Sequence, residues 1–365
     1  MTGGGAEVAV DIVINNYNYG QFLAEAIASA RRQSHPRVKV IVVDDGSTDG
    51  SRRLLEECGE GIELVLKENG GQASAINAGL SRCRGDAVML LDADDLLEPH
   101  AAARVAAAFA AEESAVKVQF RLAVIDAAGV RTGMIKPAVY QAMPSGDRRA
   151  TELAMPYDLA WLPTSAIAFR RAALERIMPI PEQAYPATGA DWYLNHLGAL
   201  LGPIVSLEEV LGSYRVHGAN NYERQHAELD LDWLRETIEL AQVTSAELLR
   251  LAAELGLPHP DRILSIADLA NRMVSLRLDR GRHPVPGDRA AGLLADSARA
   301  ARRRSTAPLP IKAALLAWFA AIAVAPRPLA RHLAELFLFP ERRRALNPLL
   351  GRLQRRGLDR PGPAG

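Results

Sequence analysis

The sequence predicts an α/β fold, a mostly parallel central sheet with helices on both faces, followed by an all-helical C-terminal region. Three observations carry that expectation. Four short Val/Ile/Leu-rich runs, VDIVIN (10–15), KVIVVD (39–44), IELVLK (62–67) and AVMLLD (87–92), do not alternate with polar residues, as strands covered on both faces should look. Stretches with helical spacing follow them in turn, GQFLAEAIASARRQ, SRRLLEEC, QASAINAGLSRC and HAAARVAAAFA. Strand–helix alternation at this spacing implies right-handed βαβ units. Finally, each run ends in a polar cluster, NNYN, DDGSTD, ENGGQ and DADD in order, at the carboxyl ends where open parallel sheets bind ligands.

From about residue 116 the pattern changes. VKVQFRLAVIDAAGVRTG reads as a strand and turn, TSAIAFRRAALERI as a strand leading into a helix, and GADWYLNHLGALLG as a further helix. A short strand at PIVSL and the segment LGSYRVHGANN follow. Beyond roughly 226 the pattern is helical, over 227–255, 261–279, 287–303 and 309–325. The expected organisation is therefore an α/β domain over 1–226, its halves meeting near 112, and a helical region over 227–365.

With 365 residues, 48% of them apolar and 24% charged, the chain can bury a sizeable core. Its net charge of zero gives no whole-molecule field that would favour nucleic acid. Cys58 and Cys83, without a CxxC, argue for a reducing compartment and no zinc site. MTGGGAEVAVD lacks the basic and apolar regions of a secretory signal. The longest uncharged apolar run, 313–325, falls short of the roughly twenty residues that span a bilayer. A cytoplasmic protein is expected.

The loops narrow the chemistry. NNYNYG has no GxGxxG to cradle a pyrophosphate, and no GxxxxGKS occurs. LLDADD instead crowds Asp92, Asp94 and Asp95 at a strand end, where like charges repel unless a cation joins them. Mg²⁺ typically takes one or two carboxylates plus substrate phosphates, which suits a D-x-D; a helix cap by Asp95 is the plainer alternative. In VVDDGSTDGS, Gly46 allows the turn and Ser47 or Asp49 can cap the next helix. Two adjacent acids there, Asp44 and Asp45, remain to be explained.

In that order and spacing, IVINNYNYGQFLAEAIASARRQ, VIVVDDGSTDGS, ENGGQASAINAGLSRCRGD and VMLLDADD resemble family 2 glycosyltransferases with a GT-A fold. The likeness continues through PTSAIAFRRAALERI, ATGADWYLNHLGAL and LGSYRVHGANN, covering about residues 8 to 222. It implies an inverting, metal-dependent transfer of a sugar from a UDP-, GDP- or dTDP-linked donor to an acceptor hydroxyl. By the same resemblance Asn15 and Tyr17 lie near base and ribose, and Asp45 reads the base with Asp44 as its substitute. Asn69, Gly71, Gln72 and Asn77 line the nucleotide-sugar pocket, and Asp92 and Ala93 belong to the D-x-D. Asp94 ligates Mg²⁺ or Mn²⁺, helped by Asp92 or Asp95 and completed by His217. Asp191 is the catalytic base, although Ala190 stands where the family often has Glu.

Several residues keep plainer readings beside these. Asp191 suits a helix cap, His217 a structural role, and Arg215 a phosphate or a carboxylate partner. Trp161 and Trp192 suit sugar stacking or the core, and Arg170 and Arg171 read as solvated. The rival functions are a sugar-nucleotide nucleotidylyltransferase, disfavoured by NNYNYG, and a binding protein that has lost catalysis. LPIKAALLAWFAAIAVAPRPLARHLAELFLFPERRR, with Arg302–Arg304 before it and Arg342–Arg344 at its end, fits equally a helix lying on anionic lipid and a helical bundle packed on the catalytic domain with a solvated basic face. A peripheral membrane location and a lipid-linked acceptor in cell-envelope synthesis follow from the first of these.

Overall fold

β1 (Val10–Asn16) and β4 (Ala87–Asp92) are buried almost throughout, as their uninterrupted apolar runs require. The computed structural model describes residues 7–58, 60–157, 162–185, 189–218, 220, 229–304 and 308–339. Contacts divide the chain into two compact units, Met1–Glu152 with Leu159–Asn220, and Leu153–Asp158 with Asn221–Gly365.

In the first unit β1 pairs in parallel with β2 (Val38–Asp45) on one side and β4 on the other, and β3 (Glu63–Lys67) extends the β2 side. Helices α1 (Gly20–Arg31), α2 (Ser51–Glu57) and α3 (Gln72–Leu80) fill the crossovers. The chain steps outward from β1 to β3 and then returns to the far side of β1 as β4. The topological switch point, where such sheets bind ligands, thus lies between β1 and β4.

Past β5 (Leu96–Leu97) and α4 (Ala101–Ala111) the sheet becomes mixed. β6 (Lys117–Ile125) pairs antiparallel with β7 (Arg131–Lys136) and with β8 (Ile167–Arg170), and β8 in turn pairs antiparallel with β4. With β9 (Ile204–Arg215) included, the sheet order is β3-β2-β1-β4-β8-β6-β9-β5, with β7 beside β6. After the short helices α5 (Arg149–Ala154) and α6 (Arg171–Leu174), α7 (Ala190–Leu201) carries the GADW segment.

β9 is longer than the short strand expected at PIVSL and runs from Ile204 to Arg215. It pairs in parallel with β6 along its whole length, and two register shifts beside Phe120–Leu122 let the acidic LEEV stretch pass. That break in apolar pattern hid the strand. Its length delivers Arg215 and His217 beneath the DADD turn, because Leu96 and Leu97 pair with Ser213 and Gly212.

The second unit is helical: α8 (Leu231–Glu254), α9 (Ile266–Leu278), α10 (Ala290–Arg303), α11 (Leu309–Val324) and α12 (Arg327–Leu338). Its core gathers Leu234, Ile238, Leu269, Met273, Phe319 and Ile322. Asp230 caps α8 by accepting from the backbone N–H groups of Asp232 and Trp233. α12 divides the apolar tail segment expected from the sequence, with Pro326 at its cap and Pro328 in its first turn. Trp161, the boundary drawn near 226 and the Arg342–Arg344 cluster lie outside the described residues.

Candidate active site

Cross-strand register builds the crevice. Asn15 and Asp92 are partners across β1 and β4, and Asn15 Nδ2 donates to Asp92 Oδ1 at 2.9 Å. The next residue, Asn16, faces Asp44 on β2 and donates to its Oδ1 at 2.9 Å. Asp45 is paired with Lys67 of β3, whose Nζ donates to Asp45 Oδ1 at 2.6 Å.

The DADD turn is held from below by β9. Arg215, 1% exposed, donates from its backbone N–H to Asp95 Oδ1 at 2.9 Å and from Nε to the Asp94 carbonyl at 2.8 Å. Its guanidinium reaches Glu25 and the Ala127 carbonyl and stacks 4.7 Å from the Phe22 ring centroid. It is therefore a structural clamp and not a free phosphate ligand. His217 Nε2 sits 3.0 Å from Asp94 Oδ2. Its ring packs on Phe22 and Tyr19, and Asn220 braces it by accepting from the His217 N–H and donating to the Arg215 carbonyl.

The acids are electrostatically frustrated. Burial, then the Asp94 charge, then that of Asp191, push the Asp92 carboxyl up to about 7 against the bonds from Asn15 and Gln72. Burial together with Asp94 and Asp92 raises Asp95 well above the usual carboxylate range. The buried Asp95 Oδ2 accepts no hydrogen bond within normal distance, although the Ser165 hydroxyl beside this carboxyl partly offsets the rise. Neither Asp95 nor Ser47 caps a helix, contrary to the simpler sequence readings. Asp95 precedes the two-residue β5, and Ser47 Oγ serves Asn16 and the Asn18 N–H. Asp49 does reach helix α2, accepting from the Ser51 N–H, and it also holds the Gly20 N–H.

Asp191 lies in the first turn of α7, where Gly189 in the left-handed region is the cap position. It accepts from its neighbour's N–H at Trp192 and does not bond the N–H groups further into the helix that a cap serves. Burial raises its pKa, partly offset by the Trp192 bond and the nearby His196, and its charge is felt at Asp92. Ala190 beside it is fully buried.

The other expected residues divide. Tyr17 and Asn69 are exposed at the crevice, and Gln72 Nε2 points to Asp92 Oδ1 at 3.3 Å. Gly71 donates to Asp45 Oδ2 at 2.7 Å, and the Gly70 N–H bonds the same carboxylate. Asp45 thus holds the ENGG loop with both oxygens engaged, while Asp44 accepts from Asn16, the Ser47 N–H and Arg52. Asn77 spends its amide on Ile180 and Glu182. Ala93 is a buried spacer between the acids, and Trp192 is half-buried with its edge near His196. Arg170 and Arg171 are not simply solvated, for they bond the carbonyls of Ala115, Phe109 and Gly85.

Sequence reasoning gave 164–171 an acceptor-side role only and missed the donor-side contacts of four residues. Ser165 Oγ accepts from the Asp92 N–H at 3.0 Å, and Thr164 Oγ1 lies 3.4 Å from Gln72 Nε2. Lys67 and Asn220 complete the set. The hydroxyl pair opening TSAIAF and the Asn three places after His217 were the available signals.

Among the described residues no group of three or more His, Cys, Asp or Glu side chains is placed to hold a metal ion by itself. Asp94 with His217, beside the unpartnered Asp95 oxygen, fits a partial shell that leaves positions for phosphate oxygens. The donor set is compatible with a divalent ion shared with a diphosphate.

Comparison with known proteins follows the same lines. Residues 11–178 match the family model described as glycosyl transferase family 2. An uncharacterized glycosyltransferase of Nostoc sp. is 36% identical over 222 residues, 58% of this chain and 66% of that protein. An undecaprenyl-phosphate 4-deoxy-4-formamido-L-arabinose transferase of Pseudomonas savastanoi is 39% identical over 94 residues, 23% of this chain and 28% of the relative. The chain thus spans just under two thirds of the first relative's length and under one third of the second's. The crystal structure of S. aureus TarS 1–349 superposes with a TM-score of 0.50 at 16% identity, covering 85% of this chain and 87% of that one. That likeness shows the fold alone.

Proposed function

Because residues 11–178 belong to glycosyl transferase family 2, we propose that this chain is an inverting, metal-dependent glycosyltransferase using a nucleotide-diphospho sugar. The observation that carries the reading is the set of crowded acids at the end of β4. Asp92 and Asp95 are pushed upward first by burial and then by the Asp94 charge beside them, and Asp95 Oδ2 accepts no hydrogen bond. A cation shared with a diphosphate relieves that conflict. Asp94 and His217 would hold Mg²⁺ or Mn²⁺, and the bound ion would offset charge on the departing nucleoside diphosphate.

The chain's own groups do the rest. Asn15 and Gln72 orient Asp92, Tyr17 and Asn69 present the open face for base and ribose, and the Asp45-held loop shapes the pocket. Asp191, its pKa raised by burial, is a stronger base than an ordinary carboxylate. It takes the proton of an acceptor hydroxyl as that oxygen attacks the anomeric carbon, help typically worth about 10²–10⁴-fold.

A lipid-linked acceptor in envelope synthesis is supported by the name of the Pseudomonas relative and by α11. Among the described residues no helix is long and apolar enough to cross a membrane. Yet α11 exposes Leu309 and Val324, 78% and 82% accessible, between exposed Arg302, Arg303 and Arg327. That combination suits an anionic membrane face, which would place the enzyme at the cytoplasmic side.

The test is a thermal-shift screen of UDP-, GDP- and dTDP-sugars with and without Mn²⁺ or Mg²⁺. A ligand at a hundred times its Kd adds about 2.7 kcal/mol to native stability. One nucleotide sugar should raise the melting temperature, and do so only with the ion. No shift from any donor in either ion refutes the reading.

A further inference from the structure

α7 begins with a glycine cap and gains no side-chain bond at its cap position, so something else must fix where its first turn sits. The buried Asn195 does this. It lies four residues after Asp191, on the same helix face, and is 1% exposed. Its Nδ2 donates to the Asp191 carbonyl at 2.8 Å and to the Leu162 carbonyl at 2.8 Å. Its Oδ1 accepts from Lys117 Nζ of β6. Carbonyls only accept, so Nδ2 must face Asp191 and Leu162, Oδ1 must face Lys117, and the amide is locked in one orientation.

Leu162 leads directly into Thr164 and Ser165, which touch Gln72 and the backbone of Asp92. One amide therefore connects the first turn of the helix bearing the proposed base with the turn that abuts the donor acids. The whole path, Asp191, Asn195, Leu162, Ser165, Asp92, runs through buried or half-buried groups within the first unit.

We propose that Asn195 is a positioning residue, setting Asp191 in register with the donor-side acids without touching substrate. This rests on the assignment of Asp191 as base. A misplacement of about 1 Å in a reacting group can cost roughly 10²-fold in rate, so the effect should appear in turnover and not in donor binding.

The experiment measures kcat, donor KM and nucleotide-sugar affinity for Asn195→Leu, Asp191→Asn and the double variant. Asn195→Leu is expected to lose on the order of 10²-fold in kcat with donor affinity unchanged. In the Asp191→Asn background the same change should cost little more, because there is no base left to place. A multiplicative loss in the double variant, or a wild-type kcat for folded Asn195→Leu, overturns the proposal while Asp191 keeps its role. Full transfer by Asp191→Asn overturns the parent reading instead.

Removing one partner of a buried bond strands the other, whereas removing both is far milder. If Asn195→Leu does not fold, Lys117→Met combined with Asn195→Leu asks the same question, with the same two outcomes deciding it.

Discussion

Replacing Asp92 by Asn should stabilise the protein above neutral pH, and the size of that gain follows from the site. The folded carboxyl is pushed up to about 7 from 3.8, first by burial and then by Asp94. An acid whose folded pKa lies above its unfolded value holds its proton more tightly in the native state. Its stabilising contribution is complete below about pH 4 and disappears as pH rises through about 7. Three units at 1.36 kcal/mol each give an upper figure of about 4 kcal/mol; with partial solvent access about half is expected.

Asn at this position keeps an oxygen to accept from Asn15 and Gln72 and removes the charge. At about 2–4 °C per kcal/mol for a domain of this size, the melting temperature at pH 8 without divalent ion should rise by roughly 4–8 °C. The assay is a series of thermal melts from pH 5 to pH 8 in EDTA. The wild type should lose stability across that window and the variant should show a flatter profile. Parallel curves for the two proteins, or a variant less stable at pH 8, would refute the claim that Asp92 is held charged against its surroundings.

Other outcomes follow from single contacts. His217→Phe keeps the packing on Phe22 and Tyr19 but removes the nitrogen facing Asp94. The donor-dependent thermal shift in Mn²⁺ should fall sharply, and an unchanged shift excludes His217 as a ligand. Gly46→Ala places a methyl 2.5 Å from the Asn69 backbone nitrogen at a φ of +78°. A loss of about 1–3 kcal/mol, measured by urea titration, is expected together with weaker donor affinity. Leu309→Asp with Val324→Asp alters two exposed side chains, so melting should not change while co-flotation with anionic vesicles should drop; retained flotation removes α11 from the membrane contact.

The parts of this molecule that could be read from sequence are those whose cause is local. β1, β2 and β4 left apolar runs because both their faces are covered, whereas β3 at the sheet edge is only half-buried, and three acids directly after such a run are more than the one that a helix cap needs. The second half of the sheet was harder. Lys117 opens β6 and reads as a surface cation, yet it is fully buried, its pKa lowered to about 7 by that burial. Nothing near it in sequence announces Asn195, seventy-eight positions away. Asp45 looked like a free acceptor for a base, whereas Lys67 and two loop N–H groups occupy its oxygens. A saturated carboxylate and an open one are spelled alike.

Arg215 stands 121 positions beyond the Asp94 carbonyl that it grips. The first four strands would contain every acid of the D-x-D, but a fragment ending after α4 would lack the guanidinium and the backbone N–H that seat them. Such an excised half would carry its corner of acids without the two groups that seat them, which only the last strand of the sheet supplies.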